Sequence, residues 1–210
     1  MLSFTSSGSG STYSTSAPGQ NAYFSFLTSA GSNIAFALSN VTFTPSSGGP
    51  YARVNFYGPN GAALSAGGNC STGCVYAINN LPQSGTYTVS VVPQEAATMS
   101  FAATLSASVT TSLTANNTIG VTLPATGQSA WLNFTATSGE NVTLTVSSLV
   151  SVPANTYYTV SVYNASGTLQ ATRSTQTGTT ITLTSLPAGI YNIQISPQNP
   201  ATASMQVGYQ

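Results

Sequence analysis

Apolar and polar residues alternate in short runs along most of this chain, and turn-forming residues separate the runs. Residues 19–38, GQNAYFSFLTSAGSNIAFAL, read as a strand, a turn at Gly31 and a second strand. Residues 127–146, GQSAWLNFTATSGENVTLTV, repeat that pattern with the turn at Gly139. A second signature recurs at nearly the same spacing of about 108 residues, a period that marks a tandem duplication. It reads Leu81-Pro82 then Gly85-Thr86-Tyr87-Thr88-Val89, and again Leu186-Pro187 then Gly189-Ile190-Tyr191-Asn192-Ile193. The duplication divides the chain into an N-terminal strand and Ser/Gly tether at 1–18, a first domain at 19–106 and a second at 107–210.

Each half then resolves into about seven short strands with one apolar face. In the first, Phe24 and Phe26 face inward and Tyr23 outward, and Ile34, Phe36 and Leu38 form a run that Val41-Thr42-Phe43 extends. Strands follow at 52–57, 75–78, 87–91 and 99–105. In the second, strands are expected at 119–123, 132–135, 142–146, 158–163, 181–183, 191–195 and 203–209. No segment holds apolar residues at i, i+3 and i+4 over three turns, so essentially no helix is expected. The predicted fold is all-β: two tandem antiparallel β-sandwich domains of Greek-key, immunoglobulin-like type. Where residues 119–123 offer three apolar positions, residues 11–15 offer only Tyr13. The first domain is therefore expected to lack a well-packed first strand and to leave an open edge.

These motifs carry a family resemblance. Gly-Gln before an aromatic alternating strand, then Val-x-Phe-Tyr or Val-x-Val-Tyr with a Gly turn, then Leu-Pro-x-Gly-x-Tyr, resembles the bacterial and archaeal pre-peptidase C-terminal domain over about residues 19–105 and 116–209. The resemblance implies a secreted β-sandwich, often in tandem, appended to exported enzymes or strung along cell-surface proteins. Such domains commonly carry acidic turn residues after the Val-x-Val-Tyr strand. Here those positions are Gly58-Pro59-Asn60 and Asn164-Ala165-Ser166, which argues against a metal site.

Charge changes the picture further. Of 210 residues only 2% are charged: Arg53, Arg173, Glu95 and Glu140, with no Lys, Asp or His. An ordinary domain carries about 25%. A surface without net charge invites association unless something else solvates it. Six Asn-x-Ser/Thr sequons, at Asn40, Asn69, Asn116, Asn133, Asn141 and Asn164, offer N-linked glycans for that purpose. Asn133 and Asn141 alternate with apolar neighbours and so fall on the outward face of their strands. With two side-chain carboxylates, stability is expected to depend little on pH.

The same composition excludes most chemistry. No His or Lys is present to activate a serine, and the two glutamates occupy non-equivalent positions, so no catalytic residue is assigned and no enzyme activity is expected. Two arginines cannot form a nucleic-acid surface. Cys70 and Cys74 have no His to complete a metal site, so no metal or cofactor is expected. They suit instead a small disulfide at a hairpin tip in an oxidising compartment. No run approaches about 18 apolar residues, so no membrane span is expected. Residues 1–10 have neither the basic start nor the long apolar run of a signal peptide, so an exported chain is expected to have lost one.

The outward aromatics Tyr23, Tyr57, Trp131, Tyr157 and Tyr163 suit a sugar platform, a subunit contact or ordinary cross-strand pairing. The expected function is a structural subunit of an extracellular, glycosylated filament or surface layer, a homopolymer at the cell surface. Leu2 and Phe4 would be donated to a neighbour's sheet edge, with Tyr23 and Trp131 at the subunit interface. Pairing of Leu2 and Phe4 within their own domain is the competing arrangement. The alternative function is an accessory carbohydrate- or surface-binding tandem module of an exported enzyme.

Overall fold

The computed structural model describes residues 2–3, 10–46, 48–94 and 96–210, with the backbone alone at 2–3. Phe4, Glu95 and residues 4–9 of the expected tether lie outside the described residues. The chain divides into two compact units, Met1–Ala107 with Ala125–Gly127, and Ser108–Pro124 with Gln128–Gln210.

Unit 1 holds β1 (Leu2–Ser3), β2 (Ser11–Ser14), β3 (Ala22–Thr28), β4 (Ile34–Thr44), β5 (Ala52–Tyr57), β6 (Ala63–Cys70), β7 (Cys74–Ile78), β8 (Gly85–Pro93) and β9 (Thr98–Ala107). Unit 2 holds β10 (Val109–Ser112), β11 (Asn117–Leu123), β12 (Ala130–Ala136), β13 (Glu140–Val152), β14 (Tyr158–Asn164), β15 (Leu169–Thr175), β16 (Thr179–Leu186), β17 (Gly189–Pro197) and β18 (Thr202–Tyr209). Unit 1 forms a five-stranded sheet β1-β3-β8-β5-β6 over a four-stranded sheet β2-β9-β4-β7. Unit 2 repeats both orders strand for strand, as β10-β12-β17-β14-β15 over β11-β18-β13-β16. The fold is all-β, in two sandwiches whose strands pair antiparallel except at one edge of each five-stranded sheet. There β1 runs parallel to β3, and β10 parallel to β12.

Alternation builds each core. In unit 1 Phe24, Phe36, Phe56, Phe101, Val54 and Val89 fill the space between the sheets; in unit 2 Leu132, Phe134, Val160, Ile193, Leu144 and Val207 do so. Both recurrent signatures meet at one junction. Gly31 N–H donates to Leu81 C=O at 2.7 Å, and Gly139 N–H to Leu186 C=O at 2.8 Å. Both glycines have positive φ, 79° and 83°, which an L side chain adopts only under strain. The tyrosine five or six residues after that leucine closes the same corner. Tyr87 Oη donates to Gln83 C=O at 2.8 Å and Tyr191 Oη to Pro187 C=O at 3.1 Å. Each ring stacks on a core phenylalanine, Tyr87 on Phe26 and Tyr191 on Phe134, at 5.6 and 5.3 Å. Gln20 of the first Gly-Gln pair caps a turn, its Oε1 accepting from Ser16 N–H and Ala17 N–H.

Four expectations need correction. Residues 11–14 form a strand, β2, paired antiparallel with β9 and, as expected of a poorly packed first strand, largely exposed, with Tyr13 packing against Phe24 and Phe101. Residues 11 and 12 are thus strand and not tether. The Cys70–Cys74 disulfide does not close a hairpin tip: β6 and β7 belong to different sheets, so the bond joins the two layers. Strands β6, β10 and β15 were not foreseen, since they lie at sheet edges and carry few large apolar residues. Finally, β13 continues past Val146 to Val152 through a bulge at 147–150, as β4 continues past Leu38 through a bulge at 39–42.

Candidate functional surfaces

Among the described residues no group of three His, Cys, Asp or Glu could hold a metal ion. Glu140 is bound into its own turn, its carboxylate accepting from Thr137 N–H at 2.6 Å and Thr137 Oγ1 at 2.9 Å, which hold its pKa below the usual carboxylate value. Arg53 donates to Asn55 Oδ1 and Arg173 to Thr172 C=O. Among the described residues, each charged side chain serves a local backbone or side-chain group.

The sequon asparagines lie at the surface. Asn40, Asn69, Asn116 and Asn141 are exposed; Asn133 and Asn164 are half-buried. Two of them use only the side-chain oxygen for folding. Asn141 Oδ1 accepts from Ser185 N–H, and Asn164 Oδ1 from Ser166 N–H and Thr168 N–H. The Nδ2 atom, to which a sugar would be attached, is left outside these bonds. Asn40 and Asn116 have φ of 53° and 59°, the left-handed region that asparagine tolerates better than most residues.

The outer face of each five-stranded sheet carries an aromatic pair at equivalent positions: Tyr23 on β3 with Tyr57 on β5, and Trp131 on β12 with Tyr163 on β14. Trp131 and Tyr163 stack at 6.0 Å with ring planes 26° apart, bridging over β17, and Tyr163 Oη meets Gln194 Oε1. Their neighbours are hydroxyls and amides: Ser161 bonds Thr172, and Gln198 donates to Thr159 and Ser174.

The two outer faces differ along one column. On β3 the outward residues are Tyr23, Ser25 and Leu27, with Tyr23 46% and Leu27 77% exposed. On β12 they are Trp131, Asn133 and Thr135, a sequon. Leu27 went unremarked in the sequence, although alternation from Phe24 and Phe26 puts it on the outward face.

The edges differ too. In unit 2, β10 pairs four residues of β12, from Val109 with Ala130 to Ser112 with Asn133. Among the described residues of unit 1, β1 pairs Leu2 with Phe24 and Ser3 with Ser25. Leu2 therefore pairs within its own domain. Register equates Leu2 with Thr111 of β10, while Phe4 lies outside the described residues. Likewise β11 pairs seven residues of β18, whereas β2 pairs four of β9. Beside β2 opens a cleft of about 420 Å³ lined by Tyr13, Thr15, Gln20, Ala22, Tyr23 and Phe101.

Comparison with known proteins adds an address. Residues 138–207, within unit 2, match the family described as secretion system C-terminal sorting domain. No curated protein matches the chain. Solved structures similar to it include the pre-peptidase C-terminal domain of a collagenase from Bacillus anthracis, at 14% identity over 49% of this chain and 94% of that one, with a TM-score of 0.39. That domain is of the family whose motifs this sequence resembles. Others are the surface-associated copper-binding protein CorA of Methylomicrobium album BG8, at 11% identity over 49% and 98%, TM-score 0.37, and a turret protein of Sulfolobus turreted icosahedral virus, at 13% over 95% and 97%, TM-score 0.29. The chain is an exported tandem β-sandwich protein of the cell surface or the extracellular space.

Proposed function

We propose that the chain is a structural subunit of an extracellular, glycosylated filament or surface layer, with no catalytic role. The observation that carries this reading is the inequality of the two sheet edges. β11 of unit 2 pairs seven residues of β18, while β2, in the same place of unit 1, pairs four of β9. A half-filled edge exposes backbone donors and acceptors that another chain's strand can take up. The N-terminal segment of a second copy has the right pattern, since Leu2 and Phe4 alternate with polar residues. In assembly the self-paired β1 is exchanged for the neighbour's, an arrangement that propagates head to tail without closing. Tyr23 and Leu27, exposed on β3, the strand that pairs β1, supply apolar contact for the neighbour. A chain with 2% charged residues and no net charge does not repel its copies.

Negative-stain microscopy of the native material tests the class: fibres or sheets are expected, and dispersed single molecules would rule it out. Deleting residues 1–10 tests the exchange: polymers of normal length from the truncated chain would eliminate donation by that segment.

A second reading, an accessory sugar- or surface-binding module, draws on the stacked Trp131 and Tyr163. It requires glycan-array binding by a monomeric protein that disappears in Trp131→Ala.

A further inference from the structure

We infer that the Trp131–Tyr163 pair is the seat of the chain's own glycan at Asn133, packing the sugar that this sequon carries rather than a foreign polysaccharide or a neighbouring subunit. The inference rests on the sugar-bearing part of the function proposed above and not on polymerisation.

On β12, Trp131, Asn133 and Thr135 occupy alternate positions and share the outward face. Residues two apart on a strand are separated by about 7 Å, roughly the width of one sugar ring, so the first sugar on Asn133 begins beside the indole. Register completes the cradle. Asn133 lies opposite Asn192 of β17, and Asn192 lies opposite Tyr163 of β14. Tyr163 and Asn133 thus flank Asn192 in one row, and Trp131 reaches across to stack on Tyr163. A pyranose has an apolar C–H face that packs on the negative face of an aromatic ring, and a polar rim that the amides of Asn192 and Gln194 can meet. Attachment itself joins Nδ2 of Asn133 to the anomeric carbon of a lipid-linked sugar, with the lipid phosphate leaving and one amide proton lost.

The first unit provides an internal control. Its equivalent column is Tyr23, Ser25 and Leu27, with no sequon, and no ring stacking joins Tyr23 to Tyr57 among the described residues. The stacked pair and the sequon occur together in the one unit and are absent together from the other. This moves Trp131 out of the subunit interface expected from the sequence and leaves Tyr23 in it.

Trp131 is the chain's only tryptophan, so its fluorescence reports this site alone. The experiment compares the glycoprotein from its native host with Thr135→Ala, which removes the sequon while keeping Asn133, and with Asn141→Gln as a control for loss of a sugar elsewhere. Glycopeptide mass spectrometry establishes occupancy in each. The expected result is an occupied Asn133, with Thr135→Ala giving red-shifted emission and roughly twofold stronger acrylamide quenching as the indole loses its cover, and Asn141→Gln giving neither. An unoccupied Asn133 overturns the inference at its premise, and an occupied Asn133 with unchanged fluorescence in Thr135→Ala overturns the packing itself. Either result is independent of whether the material forms fibres.

Discussion

Cys70 at the end of β6 is bonded to Cys74 at the start of β7, and the two strands lie in opposite sheets of unit 1. Unit 2 makes the same crossing without sulfur. Register equates Cys70 with Thr175 and Cys74 with Thr179, since Ala52 pairs Cys70 as Tyr158 pairs Thr175, and Leu38 pairs Cys74 as Val146 pairs Thr179. There Thr175 Oγ1 donates to Gly178 C=O at 2.6 Å and accepts from Gly178 N–H at 2.9 Å. The double variant Cys70→Thr, Cys74→Thr should therefore fold. With a sequence separation of 4, the bridge closes a small loop. The chain-entropy relation gives such a loop about 2 kcal/mol, an upper figure when threonine hydrogen bonds replace it. Calorimetry should show unit 1 melting earlier and unit 2 unchanged.

Tyr158 opens β14 with its ring wholly buried and its hydroxyl without a hydrogen-bond partner. An unsatisfied buried hydroxyl costs about 1–3 kcal/mol in desolvation that nothing returns. Tyr158→Phe keeps the ring and removes the oxygen. The variant should be more stable than the parent by about 1 kcal/mol in denaturant titration. Tyr191→Phe is the opposite case, because that hydroxyl donates to Pro187 C=O, and it should lose about 1 kcal/mol.

Burial pushes the phenols of Tyr158 and Tyr76 up to about 12. A folded pKa above the unfolded one means the stabilising contribution is full below the unfolded value, near 10, and is lost as pH rises toward 12. Glu140 has the reverse sign. Its folded pKa is lowered by the Thr137 bonds, so its contribution is present above the ordinary carboxylate pKa and disappears as pH falls through the folded one. Lying at the surface within its own turn, it contributes little. Thermal midpoints should stay level from about pH 5 to about pH 10, decline slightly in acid and fall steeply in strong base. A midpoint varying strongly between pH 5 and 8 would contradict this account.

Where residues were large and alternated, strands were legible. Phe24, Phe26, Val54, Phe56, Tyr87 and Val89 marked β3, β5 and β8, and the repeated Leu-Pro and Gly-Gln signatures announced the duplication. That those signatures bond to each other, Gly31 to Leu81 and Gly139 to Leu186, was not legible, because backbone hydrogen bonds leave no side-chain trace. Edge strands escaped for a related reason. β6 turns Leu64, Ala66 and Gly68 inward, and β15 carries Ala171 among polar residues, so neither shows an apolar period. The parallel pairing of β1 and β10 could not be read either, since alternation fixes which face a side chain takes and not the direction of its neighbour. The sequons and the outward aromatics were visible individually. Their grouping of Trp131 and Asn133 with Tyr163 depends on β17 lying between β12 and β14, which is a matter of sheet order.

The weakness of β2 can be removed one residue at a time. Ser11 pairs Ala103 as Ile119 pairs Val207, so Ser11 sits where unit 2 places an inward isoleucine. Ser11→Ile adds apolar surface on the side of the core beside Tyr13, and partial burial of such a side chain contributes about 1 kcal/mol. The variant should raise the melting midpoint of unit 1 and leave unit 2 where it was. It should also protect the amides of residues 11–14 from hydrogen exchange, since their opening measures how firmly β2 holds its edge. Tighter self-closure competes with any strand arriving from another copy, so polymerisation of Ser11→Ile should be slower at equal concentration. Unchanged polymerisation alongside a raised midpoint would separate the edge at β2 from the contact that joins subunits, leaving the edge at β1 as the place where they meet.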